Sequence, residues 1–267
     1  MKSMIEVIRE CWENRYRLYT LSVYDLKVRN SGTWFGAFWN VLNPALQIFV
    51  YWFVFAIGLR TSAPQGEHSY LIWMLMGIIP WFYISEAMNG CMSAIFAFQG
   101  VLKHMRFPVA IVPVKTVLTA LINHLLMLAV GMAVFFVSGY GVGIHFFSVI
   151  YYIFASFVFL TGYAMFASAI TVVFKDFQKI MAAIIRLLFY ISPVLWVQDS
   201  LPAHLRRILM LNPFDYLING YRDSILYNIP FTAHMGQGLY FWCVTVLTLM
   251  LGCAVHMRLR KRFMDII

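Results

Sequence analysis

Few side chains in this sequence are placed to do chemistry. Glu86 and Arg186 stand alone within long apolar stretches. A carboxylate or guanidinium at such a depth costs at least ~2.5 kcal/mol unless it is paired or neutral. Glu86 therefore reads either as a pathway or gating residue or as an inter-helix hydrogen bond, a contact with Arg186 included. His124, next to Asn123, could relay protons or serve as a hydrogen-bonded structural residue. There is no GxxxxGK[ST], HExxH, GxSxG or CxxC pair, the arrangements that cradle phosphates, hold zinc or activate a nucleophile. The 7 histidines share no metal spacing. Cys11, Cys91, Cys243 and Cys253 read as small core residues.

The elements that must position these residues follow from composition. The 267 residues are 62% apolar, 18% aromatic and 12% charged, against about 45–50% apolar and 25% charged in a soluble domain. So little charge cannot coat a globule of this size. That excludes an ordinary soluble enzyme, a disordered chain and a nucleic-acid-binding domain, and it predicts a polytopic membrane protein.

The gaps between charges count the spans. Residues 30–59 carry no Asp, Glu, Lys or Arg, and 69–102 carry only Glu86. The first gap is one span, and the second holds a span near 70–98. Residues 116–174 are uncharged. As one helix they would measure about 88 Å, against a hydrocarbon core of about 30 Å. The glycine-rich run at 138–143 divides them into spans near 111–137 and 146–173. A fifth lies near 180–197 and a sixth near 239–257. The expected fold is thus all-α, a single transmembrane domain over 1–267 with six transmembrane helices. Lys and Arg concentrate before the first span, between the second and third, between the fourth and fifth, and in the tail. Only Arg60, Arg206, Arg207 and Arg222 fall on the other side, so both termini are expected in the cytoplasm. That topology accounts for the net charge of +9 without nucleic acid. The first 30 residues lack the apolar core of a cleavable signal. The spans hold too few acids for a proton- or sodium-coupled transporter, so the energy source is expected on a separate ATPase.

Three segments outside the spans stand out. Residues 1–20 put Ile5, Ile8 and Trp12 on the apolar half of a helical wheel, as in a helix lying in the cytoplasmic interface. Such a helix could also pack on a soluble partner. Residues 99–108 form a short basic loop with Val101, Leu102 and Met105 together and Lys103 and Arg106 alongside. This suits a groove on a cytoplasmic partner, or a plain positive-inside connector. Residues 199–226 are outside yet amphipathic. Pro202 marks one helix start, Asn212-Pro213 breaks the run, and a second short helix follows. These are expected to dip back into the outer leaflet as a gate bearing Arg206, Arg207, Asp215 and Arg222, or to form a surface hairpin with ion pairs. Aromatics crowd the first two spans. Most belong to interfacial belts, but Tyr51, Trp73, Trp81, Phe82 and Tyr83 are candidates, with Glu86, to line a sugar passage.

The block Asp25-Leu26-Lys27-Val28-Arg29-Asn30-Ser31-Gly32, followed by Gly36-Ala37-Phe38-Trp39-Asn40-Val41-Leu42-Asn43-Pro44, resembles the start of the first span in type-2 ABC exporter permeases for polysaccharides. Asn30 stands where an aromatic is more usual there. Arg106-Phe107-Pro108 resembles the end of that family's coupling helix. Phe174-Lys175-Asp176 and Leu211-Asn212-Pro213 with Tyr221-Arg222 resemble two later motifs, in order along the chain. The resemblance implies a second copy of the chain, two copies of a nucleotide-binding subunit that holds ATP and magnesium, no cofactor on this chain, and a polyprenyl-diphosphate-linked polymer carried across the bacterial inner membrane. Wall teichoic acid is the polymer the similarity suggests most. Residues 99–107 would couple to the ATPase, and residues 199–226 would be its gate helices. Lys27 and Arg29, with Trp34 and Phe35, would meet the diphosphate. The rivals are an ABC permease for a drug or antibiotic, an integral membrane enzyme acting on lipid-linked sugars, and a passive channel.

Overall fold

The computed structural model describes all residues except 1, 30, 33, 59–67, 105, 106, 198–201 and 267. Among the described residues there are helices and turns and no strand. In lipid the backbone must satisfy its own polar groups, which a helix does within one segment.

Helices α1 (Lys2–Glu13) and α2 (Arg15–Arg29) open the chain. The α3 helix (Trp39–Trp52) passes into a π-helical turn, Phe53–Gly58. Then come α4 (Tyr70–Ala97), the short α5 (Gln99–His104), α6 (Ile111–Val137) and α7 (Ser148–Val173). The chain continues through α8 (Phe177–Ile191), α9 (Ala203–Leu209), α10 (Pro213–Ile225) and α11 (Met235–Ile266). Among the described residues, five helices are long and apolar enough to cross a membrane: Trp39–Gly58, Tyr70–Lys103, Ile111–Val137, Ile144–Val173 and Phe231–Arg260. The protein is a multi-pass membrane protein.

The predicted fifth span differs from expectation. Residues 180–197 are not one helix. The α8 helix has 15 residues, about 22 Å at 1.5 Å per residue, short of a ~30 Å core. Its end is set at Ser192, where the backbone turns extended, and the Trp196 indole donates back to the Tyr190 carbonyl at 2.9 Å. The N-terminal helix also differs. It is two helices joined at Asn14, whose amide donates to the Glu10 carbonyl, and it runs on to Arg29.

The α4 helix is the hub. Most of its length is buried, and α3, α6, α7, α8 and α10 all pack on it. The α7–α11 pair is the tightest crossing. A Cβ on Gly252 would meet the Gly162 carbonyl oxygen at 2.2 Å, and one on Gly162 would meet the Leu249 backbone at 2.7 Å. Two glycines thus let two backbones touch. Helix α3, by contrast, is peripheral, with Ile48 its one buried residue.

Candidate functional site

The predicted site residues fall into three places. The first is a polar cavity of about 810 Å³ between α2, α3, α4 and α6. Arg29, the last residue of α2, donates to Glu86 Oε1, and the Asn123 amide donates to Glu86 Oε2 at 2.8 Å. Glu86 is therefore held by α2 and α6. Arg186 is exposed and donates to its own helix at Ala182, so the expected contact between Glu86 and Arg186 is not formed. A second ion pair joins the buried Lys115 ammonium to Asp25, and Lys115 also sits 4.7 Å from the centre of the Phe98 ring. Asn40, Asn43, Asn89 and Ser85 complete a lining rich in amides and hydroxyls. Just before α3, Trp34 is fully exposed at 103% and Phe35 is exposed. Phe35 meets Trp39, a cavity residue, edge to face at 5.6 Å. Lys27 is exposed nearby on α2 and does not line the cavity.

An adjoining cleft of about 330 Å³ between α3, α4 and α8 brings together Tyr51, Trp81 and Phe82. Tyr51 and Trp81 both lie against the Phe189 ring, at 5.3 and 5.7 Å. The other two aromatic pathway candidates are elsewhere. Tyr83 is buried and stacks on His124 at 4.9 Å; Trp73 is buried under Arg222. Tyr83 serves the packing of the bundle, while Trp73 also lines an outer cavity with Arg206, Asp215 and Arg222.

The second place gathers the loop after α4 and the N-terminal helix. Leu102 is 3% exposed and packs with Ile95, Val109, Ala169, Val172 and Phe263. Phe107 is half-buried between the same cluster and the one under α1, its ring 6.1 Å from Phe98. The expected apolar knob is thus corrected. Leu102 and Phe107 anchor the loop inward, and Val101, 38% exposed, faces out beside the exposed Lys103. Met105 and Arg106 lie outside the described residues. Helix α1 divides similarly. Val7 and Cys11 dock on a cluster with Leu18, Ile111, Val114, Met165 and Cys253, while Ile5, Ile8 and Trp12 remain exposed. Burial, with Glu10 beside it, pushes the Cys11 thiol up to about 12. Arg260 donates to Glu10 at 2.6 Å, tying α11 to α1.

The third place is α9 and α10. Asn212 caps α10 by accepting from the Phe214 amide at 3.1 Å, and Pro213 fits the first turn. Arg206 and Arg207 are exposed on α9. Asp215 and Arg222 are buried, and with Arg206 they line one cavity of about 490 Å³, so three of the expected four come together and Arg207 does not join them. Arg222 reaches 149 residues back to the Trp73 carbonyl at 3.2 Å. It also donates to the carbonyls of Pro193 and of Val194, the latter at 2.8 Å. Its guanidinium stacks 3.6 Å from the Trp73 ring centre. Gly77 makes this possible, since a Cβ there would lie 2.1 Å from the guanidinium. Sequence reasoning put Arg222 on an outer gate helix or a surface hairpin and named none of these partners. The available signal was Gly77 in an otherwise bulky helix.

These features define an all-α, multi-pass membrane permease without a nucleotide-binding motif of its own. The chain belongs to the ABC-2 type transporter family, whose sequence model matches residues 16–226. It is 32% identical over 229 residues to the O-antigen export system permease protein RfbA of Myxococcus xanthus, covering 82% of this chain and 84% of that one. It is 24% identical to the protein of the same name from Klebsiella pneumoniae, over 94% of each chain. It is 23% identical to the polysialic acid transport protein KpsM of Escherichia coli, over 90% of this chain and 94% of that one.

Proposed function

We propose that this chain is the membrane subunit of an ATP-driven exporter of a lipid-linked polysaccharide in the bacterial cytoplasmic membrane. It works as a pair of copies with two copies of a separate ATPase subunit, which holds ATP and magnesium. The observation that carries this reading is the alignment over most of its length with proteins named for O-antigen export and polysialic acid transport. Those names weigh toward O-antigen-like glycans; wall teichoic acid is the finer alternative, and none of the relatives above is named for it. The concentration of Lys and Arg supports a cytoplasmic position for both termini.

In this reading α5 is the coupling element. Leu102 and Phe107 fix it to α4, α7 and α11, and Val101 and Lys103 face the ATPase. Movement of the ATPase dimer then reaches the hub helix through a rigid joint. Transport requires that ATP favour one conformation over the other. The polymer head enters beside α2 and α3. The passage forms where α3, α4 and α8 meet, and α9 and α10 close its outer end.

The test is co-purification with the ABC ATPase encoded beside this chain. Val101→Asp with Lys103→Glu should lower the complex's ATPase-coupled transport by at least about tenfold, equivalent to ~1.4 kcal/mol. Fold is checked by an unchanged elution volume. An intact complex with unaltered coupling would remove α5 from this role, and failure to bind any ATPase would remove the exporter reading. Vesicles loaded with lipid-linked O-antigen or lipid-linked teichoic acid then separate the two polymers.

A further inference from the structure

We infer that Glu86 is an internal stand-in for the phosphate of a lipid-carried ligand, holding Arg29 until that phosphate displaces it. The inference deepens the exporter reading and rests on it for the identity of the ligand.

One cation, Arg29, lines the cavity, and a second, Lys115, is paired with the lining residue Asp25. Lys115 is buried against Asp25 and unavailable. Arg29 is different, because half its side chain is exposed and its partner Glu86 is itself only partly covered. A guanidinium carries five donors in a planar fork, and Glu86 takes one through Oε1. Half of the side chain stays exposed at the cavity it lines. A phosphate would satisfy such a fork bidentately, with charge-assisted bonds stronger than those to a neutral group. Glu86 would not be stranded by the exchange. The Asn123 amide still donates to its second oxygen, and the released oxygen is free to accept from a sugar hydroxyl.

The residues just before α3 say where the phosphate comes from. Trp34 is fully exposed and Phe35 lies against Trp39 on the cavity wall. Exposed aromatics at the end of a spanning helix mark headgroup level, where lipid phosphates lie. The same cavity is also lined by Asn43, Asn89 and Ser85, neutral groups that suit hydroxyls. A cation for phosphate next to neutral groups for hydroxyls matches the adjacency of groups in a sugar linked to lipid through a diphosphate.

The experiment uses the full chain in phosphatidylcholine nanodiscs, with geranylgeranyl diphosphate as probe and geranylgeraniol as the uncharged control. Glu86→Gln keeps the Asn123 contact and removes the competing charge. It should tighten diphosphate binding about three- to fivefold, the scale of a partly exposed ion pair. Arg29→Gln should abolish diphosphate binding, and neither variant should alter geranylgeraniol binding. Inorganic pyrophosphate should bind more weakly than the lipid, which separates a free anion from a lipid-borne one. Adding phosphatidylglycerol distinguishes the two lipid sources. Strong competition assigns the site to membrane headgroups in general, and weak competition assigns it to the diphosphate. If Glu86→Gln fails to give a monodisperse sample, Glu86→Asp, whose shorter reach loosens the pair, should shift binding in the same direction. Unchanged or weaker binding in a well-folded Glu86 variant would overturn the inference, as would absence of phosphate binding in the wild type. Such a failure leaves the coupling experiment on Val101 and Lys103 untouched, so the two readings fall separately.

Discussion

Replacing Arg222 with Met should destabilise the protein through the outer helices alone. The guanidinium is 2% exposed and gives hydrogen bonds to three backbone carbonyls. Met has similar length and no donor. The Trp73 carbonyl keeps its place in the α4 ladder, but those of Pro193 and Val194 lie in the turn after α8. Each buried carbonyl left without a partner costs about 1–3 kcal/mol. Loss of the stack on Trp73 adds about 1–2 kcal/mol. Removing a buried charge returns part of this, because the guanidinium no longer has to be desolvated. The net expectation is ~3 kcal/mol. At about 2–4 °C per kcal/mol for a chain of this size, the apparent Tm in detergent should fall by roughly 6–12 °C. Gly77→Ala tests the same joint without removing a donor. Its methyl displaces the guanidinium and should cost about 1–3 kcal/mol. In the Arg222→Met background the same methyl meets a flexible thioether and should cost little. The coupling between the two sites should thus reach at least ~1 kcal/mol. Light-scattering-controlled thermal unfolding of the four proteins reads this directly. A Tm change under 2 °C for Arg222→Met, or equal Gly77→Ala effects in both backgrounds, would refute the joint.

Other expectations follow from the same packing. Gly252→Ala should lower the apparent Tm by a comparable amount, because its methyl meets the Gly162 carbonyl and neither backbone can move far; an unchanged Tm would mean that α7 and α11 are looser than described. Cys11 should react slowly with a disulfide reagent. A rise from 9.0 to about 12 lowers the thiolate population at pH 8 about a thousandfold. The more basic thiolate is a better nucleophile, which leaves the net rate about thirty- to sixtyfold below that of an ordinary thiol. The rate should keep rising with pH up to about 12, and a plateau near pH 9 in a variant retaining only Cys11 would contradict its burial. Lys115→Met should release α2 and speed amide exchange along residues 18–29, and equal exchange would show that Asp25 does not hold the helix.

Much of the fold was legible because apolar length and charge gaps are properties of single segments. The break at 138–143, the Asn212-Pro213 helix start and the basic loop after the second span all fall where local chemistry predicts them. The failures share a different cause. Leu102 and Val101 are neighbours with the same hydropathy, and only tertiary packing decides which faces Phe263 and which faces out. The partners of Arg222 were not legible because they are carbonyls 28, 29 and 149 residues away, and carbonyls leave no mark in a sequence. Glu86 was recognised as unusual, but Arg186 was as good a partner as Arg29 until the helices were arranged in space. The short α8 was missed because hydropathy carries through Ser192 and Pro193 while the backbone does not.

The distribution of charge then separates what is fixed from what can move. Three of the ion pairs, Glu10–Arg260, Asp25–Lys115 and Arg29–Glu86, join α1 or α2 to the bundle. Arg29–Glu86, with half the arginine exposed, is of the kind that contributes little stability and exchanges readily, and the Glu10–Arg260 pair is partly exposed, whereas Lys115 is buried in its pair. The Arg222 joint is buried and multiply bonded, so it locks α10 to α4 and to the turn after α8. The N-terminal helices are thus attached in part by contacts that can be remade, while the outer helix is attached to the hub by one that cannot be partly broken. Motion driven from the basic end would be taken up first at α1 and α2, and would reach α10 only as a rigid displacement of α4. Hydrogen exchange across α10 should therefore remain slow in a state where α2 exchange has risen. Simultaneous loss of protection in both helices would show that Arg222 lets go during the cycle, and that the outer helices open by local unfolding rather than by moving with α4.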